Sequence, residues 1–278
     1  MLETRRAAVL GHPISHSLSP VLHRAAYQKL GLPWQYDAID VPAGGLKEFI
    51  DGMGPEWAGL SLTMPLKVEA VPLMHFIEPM AKIVGAINTV LVQRFADTRH
   101  LVGANTDVYG IVAAFKEAGV EKARTGVIIG GGATATSALA AIGQMGVTSP
   151  VVAVRDRARA GALMRAATKM GVNVRFVDIT EAGELASRAD VAVSTIPADA
   201  GAALAPSVSG ASGTLLDVVY SPLVTPLGEA WEAAGGTRVG GERMLLHQAG
   251  EQIRLMTGRE APIMEMDAAL RSELTSSH

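Results

Sequence analysis

The chain has 278 residues, with 24 basic and 27 acidic side chains, a net charge of −3 at pH 7, 49% hydrophobic and 4% aromatic residues, and no cysteine. The near balance of charge excludes the electrostatic footprint of a nucleic-acid or anionic-membrane binder, and the lack of thiols excludes disulfides, thiolate metal sites and cysteine nucleophiles. No run of about 18 apolar residues occurs and the N-terminus has no signal-peptide core, so the expectation is a cytoplasmic, non-membrane protein of one large or two medium domains.

From the N-terminus, aliphatic runs read as strands at AAVLG (7–11), WQYDAI (34–39), AGLSL (58–62) and NTVLV (88–92). Helical spacing lies between them in LSPVLHRAAYQKLG (18–31) and LKEFIDGM (46–53). In the first helix Ser19 is expected as the N-cap, Pro20 at the first helical position and Gly31 past the last turn. TDVYGIVAAFKEAG (106–119) reads as a connecting helix. Beyond residue 125 the pattern restarts with GVIIG (126–130), VVAVR (151–155), VRFVDI (174–179), ADVAVST (189–195) and TLLDVVY (214–220). A long helix (242–258) carries Met244, Gln248 and Gln252 on one stripe and should stop at Gly258. Strands alternating with helices predict an α/β fold with mostly parallel sheets, in two domains.

The run GVIIGGGATATSALAAIG places Gly130-x-Gly132-x-x-Ala135 between a buried-strand pattern and an alanine-rich helix. Glycines there let the backbone approach a pyrophosphate, and the helix N-terminus offers free N–H groups and a positive dipole end. At the end of the next strand Arg155, followed by Asp156, Arg157 and Arg159, stands where an acid would bind the ribose of NAD. Guanidinium groups pair with phosphate, so Arg155 and Arg159 favour NADP, whereas Asp156 keeps the ribose role open.

Other polar residues gather just past strand ends. Pro65 should open a helix with Lys67 in its first turn, a placement unfavourable to a cation on dipole grounds. Asp107 starts the connecting helix behind Asn105 or Thr106, either of which could cap it. In a parallel sheet such strand ends converge on one crevice, so Lys67 and Asp107 form a candidate proton-transfer pair. Asn88 and Thr89 offer amide and hydroxyl contacts to a polyhydroxylated ligand, or ordinary turn bonds. Ser17 and Ser19 could receive the two oxygens of a carboxylate, or serve the loop. His12 and His16 are spaced like metal ligands but lack a thiolate or carboxylate partner in sequence, so no metal site is expected.

These segments together resemble the shikimate dehydrogenase family from about Val9 to Gly258. The resemblance is carried by GHPISHSLSP, SLTMPLK, GAINT, NTDVYG, GGGATA, DVVYSPLVT and GERMLLHQ, in order and at family-like spacing. It implies a substrate-binding domain from residues 1–105 plus 242–278 and a Rossmann-type NADP-binding domain from 106–241. It implies reversible NADPH-dependent reduction of 3-dehydroshikimate, with Lys67 as acid/base paired with Asp107. Ser17, Ser19, Thr63 and Tyr220 would take the carboxylate region, and Asn88, Asp107 and Gln248 the ring hydroxyls. Gly130, Gly131, Gly132, Ala133, Thr134, Arg155, Arg159, Val218 and Gly241 would bind the cofactor. Two departures stand out. Ser61 replaces the usual asparagine, and Ala133 replaces a fourth glycine and is expected to crowd the pyrophosphate slightly. An NAD-dependent quinate/shikimate dehydrogenase and a non-catalytic nucleotide-binding relative remain as alternatives, and both monomer and homodimer stay open.

Overall fold

The computed structural model describes residues 3–95 and 98–276, with the side chain of Arg159 outside that description. The chain divides into two compact units, one running to Thr106 and resuming at Leu246, the other spanning Asp107–Leu245. The first begins with β1 (Arg6–Gly11), α1 (Ser19–Lys29), β2 (Gln35–Asp40), α2 (Leu46–Asp51) and β3 (Trp57–Leu62). It continues with α3 (Leu66–Glu69), β4 (Phe76–Ile77), α4 (Pro79–Val84), β5 (Thr89–Phe95) and β6 (Thr98–Ala104). Its sheet is ordered β2-β1-β3-β5-β6-β4. β1 is parallel to β2 and β3, and β4 to β6, while β5 is antiparallel to both β3 and β6.

The second unit contains α5 (Asp107–Glu117), β7 (Gly126–Ile129), α6 (Ala133–Gln144), β8 (Val151–Val154), α7 (Gly161–Met170) and β9 (Arg175–Asp178). After these come α8 (Ala182–Ser187), β10 (Val191–Ser194), α9 (Ala198–Ala202), β11 (Thr214–Asp217), α10 (Pro226–Ala233) and β12 (Thr237–Gly240). All its strands are parallel, in the order β12-β11-β10-β7-β8-β9. Counted from β7 this is the doubly wound order, with the reversal between β7 and β10. β7, β10 and β11 are buried along their whole length, as apolar strands covered on both faces should be. α11 (Gly241–Thr257) carries the chain from the second unit into the first, where α12 (Ile263–Ser276) packs on α1. No helix among the described residues is long and apolar enough to cross a membrane.

Three expectations are corrected. The strand read at 214–220 ends at Asp217, whose carboxylate turns into the following loop. The strand read at 151–155 ends at Val154 and leaves Arg155 outside. In α1 the N-cap position is Leu18, with Ser19 already helical and no side chain capping the end. Ser19 is buried, and its carbonyl faces His23 Nδ1 at 3.0 Å.

His23, on α1, is fully buried in the same region, stacked on Tyr36 at 3.8 Å and edge-on to Tyr27 at 6.0 Å between ring centroids. Its Nδ1 lies 3.0 Å from the Ser19 carbonyl. A carbonyl only accepts, so Nδ1 carries the proton of the neutral ring. Burial drives the His23 pKa from 6.5 down to about 4. Between those values the unfolded chain binds a proton that the folded chain refuses, so His23 stabilises the fold above 6.5 and that contribution fades as pH falls towards 4. The predicted loss is about 3 kcal/mol. His23→Gln should flatten the dependence of denaturant-unfolding free energy on pH across this window; an unchanged slope would refute the assignment.

Candidate active site

The loops after β1 and β3 leave the first sheet tied together. Thr63 N donates to the Leu10 carbonyl at 2.9 Å, and His12 N donates to the Met64 carbonyl at 3.0 Å. These bonds bring the Ser17–Ser19 loop alongside the segment bearing Thr63 and Lys67. Ser17, Thr63 and Lys67 are half-buried, Ser19 buried. Lys67 is the second residue of α3, behind Pro65, as the sequence predicts. Its carbonyl accepts from Ile87 N at 2.8 Å, which brings Asn88, one residue on, next to this strand end. The His12 ring meets Asp40 at 2.8 Å.

Asn88, only 2% exposed, is the hub of a polar cluster. Its Nδ2 donates to Thr106 Oγ1 at 2.9 Å and to Gln248 Oε1 at 3.3 Å. Its Oδ1 accepts from Thr106 N at 2.8 Å and from Thr89 Oγ1 at 2.9 Å. Gln248 and Asn88 are 160 residues apart in the chain, and α11 brings them together. Thr106 enters as a partner in its own right, its hydroxyl turned towards Asn88 and Gln248. Asp107 follows directly as the buried first residue of α5.

In the second unit β7 runs into the glycine loop. Gly130 has φ +118°, and a Cβ there would come within 2.3 Å of Thr195 Oγ1, so only glycine fits. Gly132 is the N-cap of α6 and no side chain caps that helix, which leaves its leading N–H groups available for an anion. Ala133 and Thr134 form the first turn of α6. Ala133 is an ordinary helical residue, and the loop's positive φ falls on Gly130 alone. Arg155 is exposed just past β8, lining a cavity of about 490 Å³ with Ile179, Thr180, Ala203 and Leu204. Asp156 caps the short turn Arg157–Ala160, accepting from Ala158 N at 2.9 Å. Arg159 belongs to that turn, but its side chain lies outside the described residues.

The second unit also draws Val218 and Gly241 together: a Cβ on Gly241 would meet the Val218 carbonyl at 2.2 Å. Asp217 explains the segment between them. It accepts from Thr225 Oγ1 at 2.6 Å and from Val219 N at 3.4 Å, while Thr225 Oγ1 accepts from Gly228 N and caps α10. The loop carrying half-buried Tyr220 is thereby closed at both ends.

A doubly wound parallel sheet whose first crossover opens on an uncapped glycine loop defines a dinucleotide-dependent α/β enzyme. Residues 9–90 match the shikimate dehydrogenase substrate binding domain, and residues 241–271 the shikimate 5'-dehydrogenase C-terminal domain. A shikimate dehydrogenase (NADP(+)) of Moorella thermoacetica is 33% identical over 285 residues, covering 99% of this chain and 95% of that protein. The crystal structure of a shikimate 5-dehydrogenase from Mycobacterium fortuitum is 40% identical with a TM-score of 0.85, covering 97% of this chain and 98% of that one. A Thermus thermophilus shikimate 5-dehydrogenase in complex with NADP(H) and shikimate is 31% identical with a TM-score of 0.81, covering 98% and 99%. The chain belongs to the shikimate dehydrogenase family.

Burial raises the pKa of Asp217, outweighing the hydrogen bond from Thr225. Ionising this carboxyl therefore costs the folded state more than the unfolded one, and its contribution to stability declines as pH rises through the folded pKa. Asp217→Asn should gain stability relative to the parent as pH is raised from about 4 to about 7, in thermal unfolding at matched salt. A constant difference across that range would show the carboxyl to be unperturbed.

Proposed function

We propose that the chain catalyses the reversible NADPH-dependent reduction of 3-dehydroshikimate to shikimate, on the route to aromatic amino acids, as a cytoplasmic monomer or homodimer. The observation that carries this is the cluster of Asn88, Thr106 and Gln248, assembled from distant segments beside the strand end that bears Lys67. Such a cluster suits a ligand with adjacent hydroxyls, and the paired loops supply Ser17, Ser19 and Thr63 for its carboxylate. Tyr220 completes the carboxylate group of contacts, and Asp107 joins Asn88 and Gln248 at the ring hydroxyls. In this assignment the first unit is the substrate-binding domain and the second the NADP-binding domain.

The cofactor's residues fit the group. The N–H groups of Gly131, Gly132, Ala133 and Thr134 would hold the pyrophosphate, with Gly130 supplying the close turn. Arg155 and Arg159 would meet the 2′-phosphate, and Val218 and Gly241 would complete the site. When bound, NADPH supplies the hydride that the ketone carbon requires. The protein's own task is at the ketone oxygen. Lys67 holds a proton there and releases it as negative charge develops; in the reverse direction it takes the proton back. Asp107 would pair with Lys67 and orient its ammonium. Support for the pair comes from chain tethers: Lys67 is bonded to Ile87, and Asn88 is bonded to Thr106, next to Asp107.

Purified protein with shikimate or quinate, and NADP⁺ or NAD⁺, tests the reading by the appearance of reduced nicotinamide. Shikimate with NADP⁺ is the expected pair; turnover of quinate with NAD⁺ alone would overturn it. Lys67→Ala should cut kcat by about 10²- to 10⁴-fold with little change in the KM for shikimate. A loss confined to KM would reduce Lys67 to a binding group. Arg155→Ala should raise the KM for NADP⁺ at least about tenfold and leave that for NAD⁺ within about twofold, as removal of a charge-assisted phosphate contact demands. Equal weakening of both would reject the 2′-phosphate role.

A further inference from the structure

A second line of hydrogen bonds runs through the interior of the first unit, and none of the roles above uses it. Tyr36, on β2, donates to Ser61 Oγ at 2.6 Å, and Ser61, on β3, donates to Gln252 Oε1 at 2.9 Å. Gln252 lies one turn beyond Gln248 on α11. From Nε2 it donates to the Asn88 carbonyl at 3.2 Å and to Thr89 Oγ1 at 3.0 Å. At the other end the Tyr36 phenol meets the Ser19 side chain. The hydrogen-bonded line runs from Tyr36, beside Ser19, which is assigned to the substrate carboxylate, to Asn88, which is assigned to the ring hydroxyls.

The direction of this line is fixed by its last acceptor. The Asn88 carbonyl has no proton to give, so the Gln252 amide must turn Nε2 towards it and Oε1 towards Ser61. Ser61 must then donate to Gln252, and Tyr36 to Ser61. One amide orientation thus orders the protons of two hydroxyls. Ser61 is 4% exposed and Gln252 is 1% exposed, so a broken bond leaves its partner unsatisfied in a place that water reaches poorly. Ser61 is also the position where the family resemblance calls for asparagine. Here the Ser61 hydroxyl bonds to Gln252, whose carboxamide reaches the Asn88 carbonyl and Thr89 at the start of β5.

We propose that Tyr36, Ser61 and Gln252 are positioning residues that hold Asn88 and, through α11, Gln248 in register with Ser19. The proposal rests on the assignment of those three residues to the substrate. Ser61→Ala and Gln252→Met, singly and together, test it in the full-length protein, with steady-state kinetics in shikimate and NADP⁺ and thermal unfolding measured in parallel. Each single change should raise the KM for shikimate about 5- to 20-fold, with kcat and the KM for NADP⁺ within about twofold, because contacts held equally in ground and transition states are weakened. The double variant should be no worse than the poorer single one, since both break the same line. A lower Tm with an unmoved shikimate KM would make the line a fold support only, and multiplied effects in the double variant would make the sites independent; either result overturns the proposal. Ser61→Ala deletes a single buried atom, so it decides the matter even if Gln252→Met fails to fold. Failure of the parent protein to turn over shikimate with NADP⁺ would instead sink the assignment of substrate, which separates the two ideas.

Discussion

The first unit depends on the satisfaction of one buried amide. Asn88 places both side-chain donors and its side-chain acceptor on Thr106, Gln248 and Thr89. Its backbone carbonyl receives Leu62 N at 2.7 Å as well as Gln252, and its own N–H reaches the Ala104 carbonyl at 3.2 Å. The end of β3, the start of β5, the end of β6 and the middle of α11 therefore share a single residue. An unpaired amide at this depth would cost about 1–3 kcal/mol per lost partner, so the arrangement holds together or loosens as one piece. α11 cannot contribute its two glutamines until the whole second unit has been threaded between Thr106 and Leu246. The polar cluster is thus also the point at which a discontinuous unit is closed.

What could be read from sequence was what local pattern determines. The strands at 7–11, 58–62 and 126–130 were legible because aliphatic runs buried on both faces look the same in any context, and α6 followed from the glycine loop. β6, with Arg99 and His100 inside it, was not legible: its strand conformation comes from pairing along the full length of β5, register Thr89–Ala104 to Phe95–Thr98. Strand preference of that kind belongs to the neighbour as much as to the residue. β4 and β12 are two and four residues long, too short to show a period. The Ser19 cap failed because α1 begins at Ser19 itself, with Leu18 in the capping position. Gln252 had been visible as one of a helix stripe, and Ser61 as a departure; only the fold shows that they answer one another across 191 residues.

The ambiguity between Arg155 and Asp156 is narrowed by backbone chemistry. Asp156 accepts from Ala158 N and caps the turn that follows β8. A carboxylate committed to a turn is held by that turn, and the neighbouring exposed guanidinium lines a cavity. Arg157 lies over the Phe176 ring at 5.3 Å, so the second basic residue of the segment is occupied as well. The stretch R-D-R, which in sequence offers three charges of equal standing, separates in the fold into one cation lining a cavity, one cap and one side chain over a ring, all three exposed.

The two units accordingly encode recognition in different currencies of structure. In the second, the groups on offer at the glycine loop are backbone: Gly130 permits a turn, Gly132 leaves a helix end open, and Gly241 lets one chain segment touch another. Such a site is specified by the absence of side chains, and glycine spacing announces it from sequence alone. In the first, the polar cluster is made of amides and hydroxyls whose orientation is set by other buried amides and hydroxyls. No single residue type announces that arrangement, because each member is meaningful only through its partner. One such pair is Ser61 on the strand and Gln252 on the helix, whose hydroxyl and carboxamide are bonded at 2.9 Å.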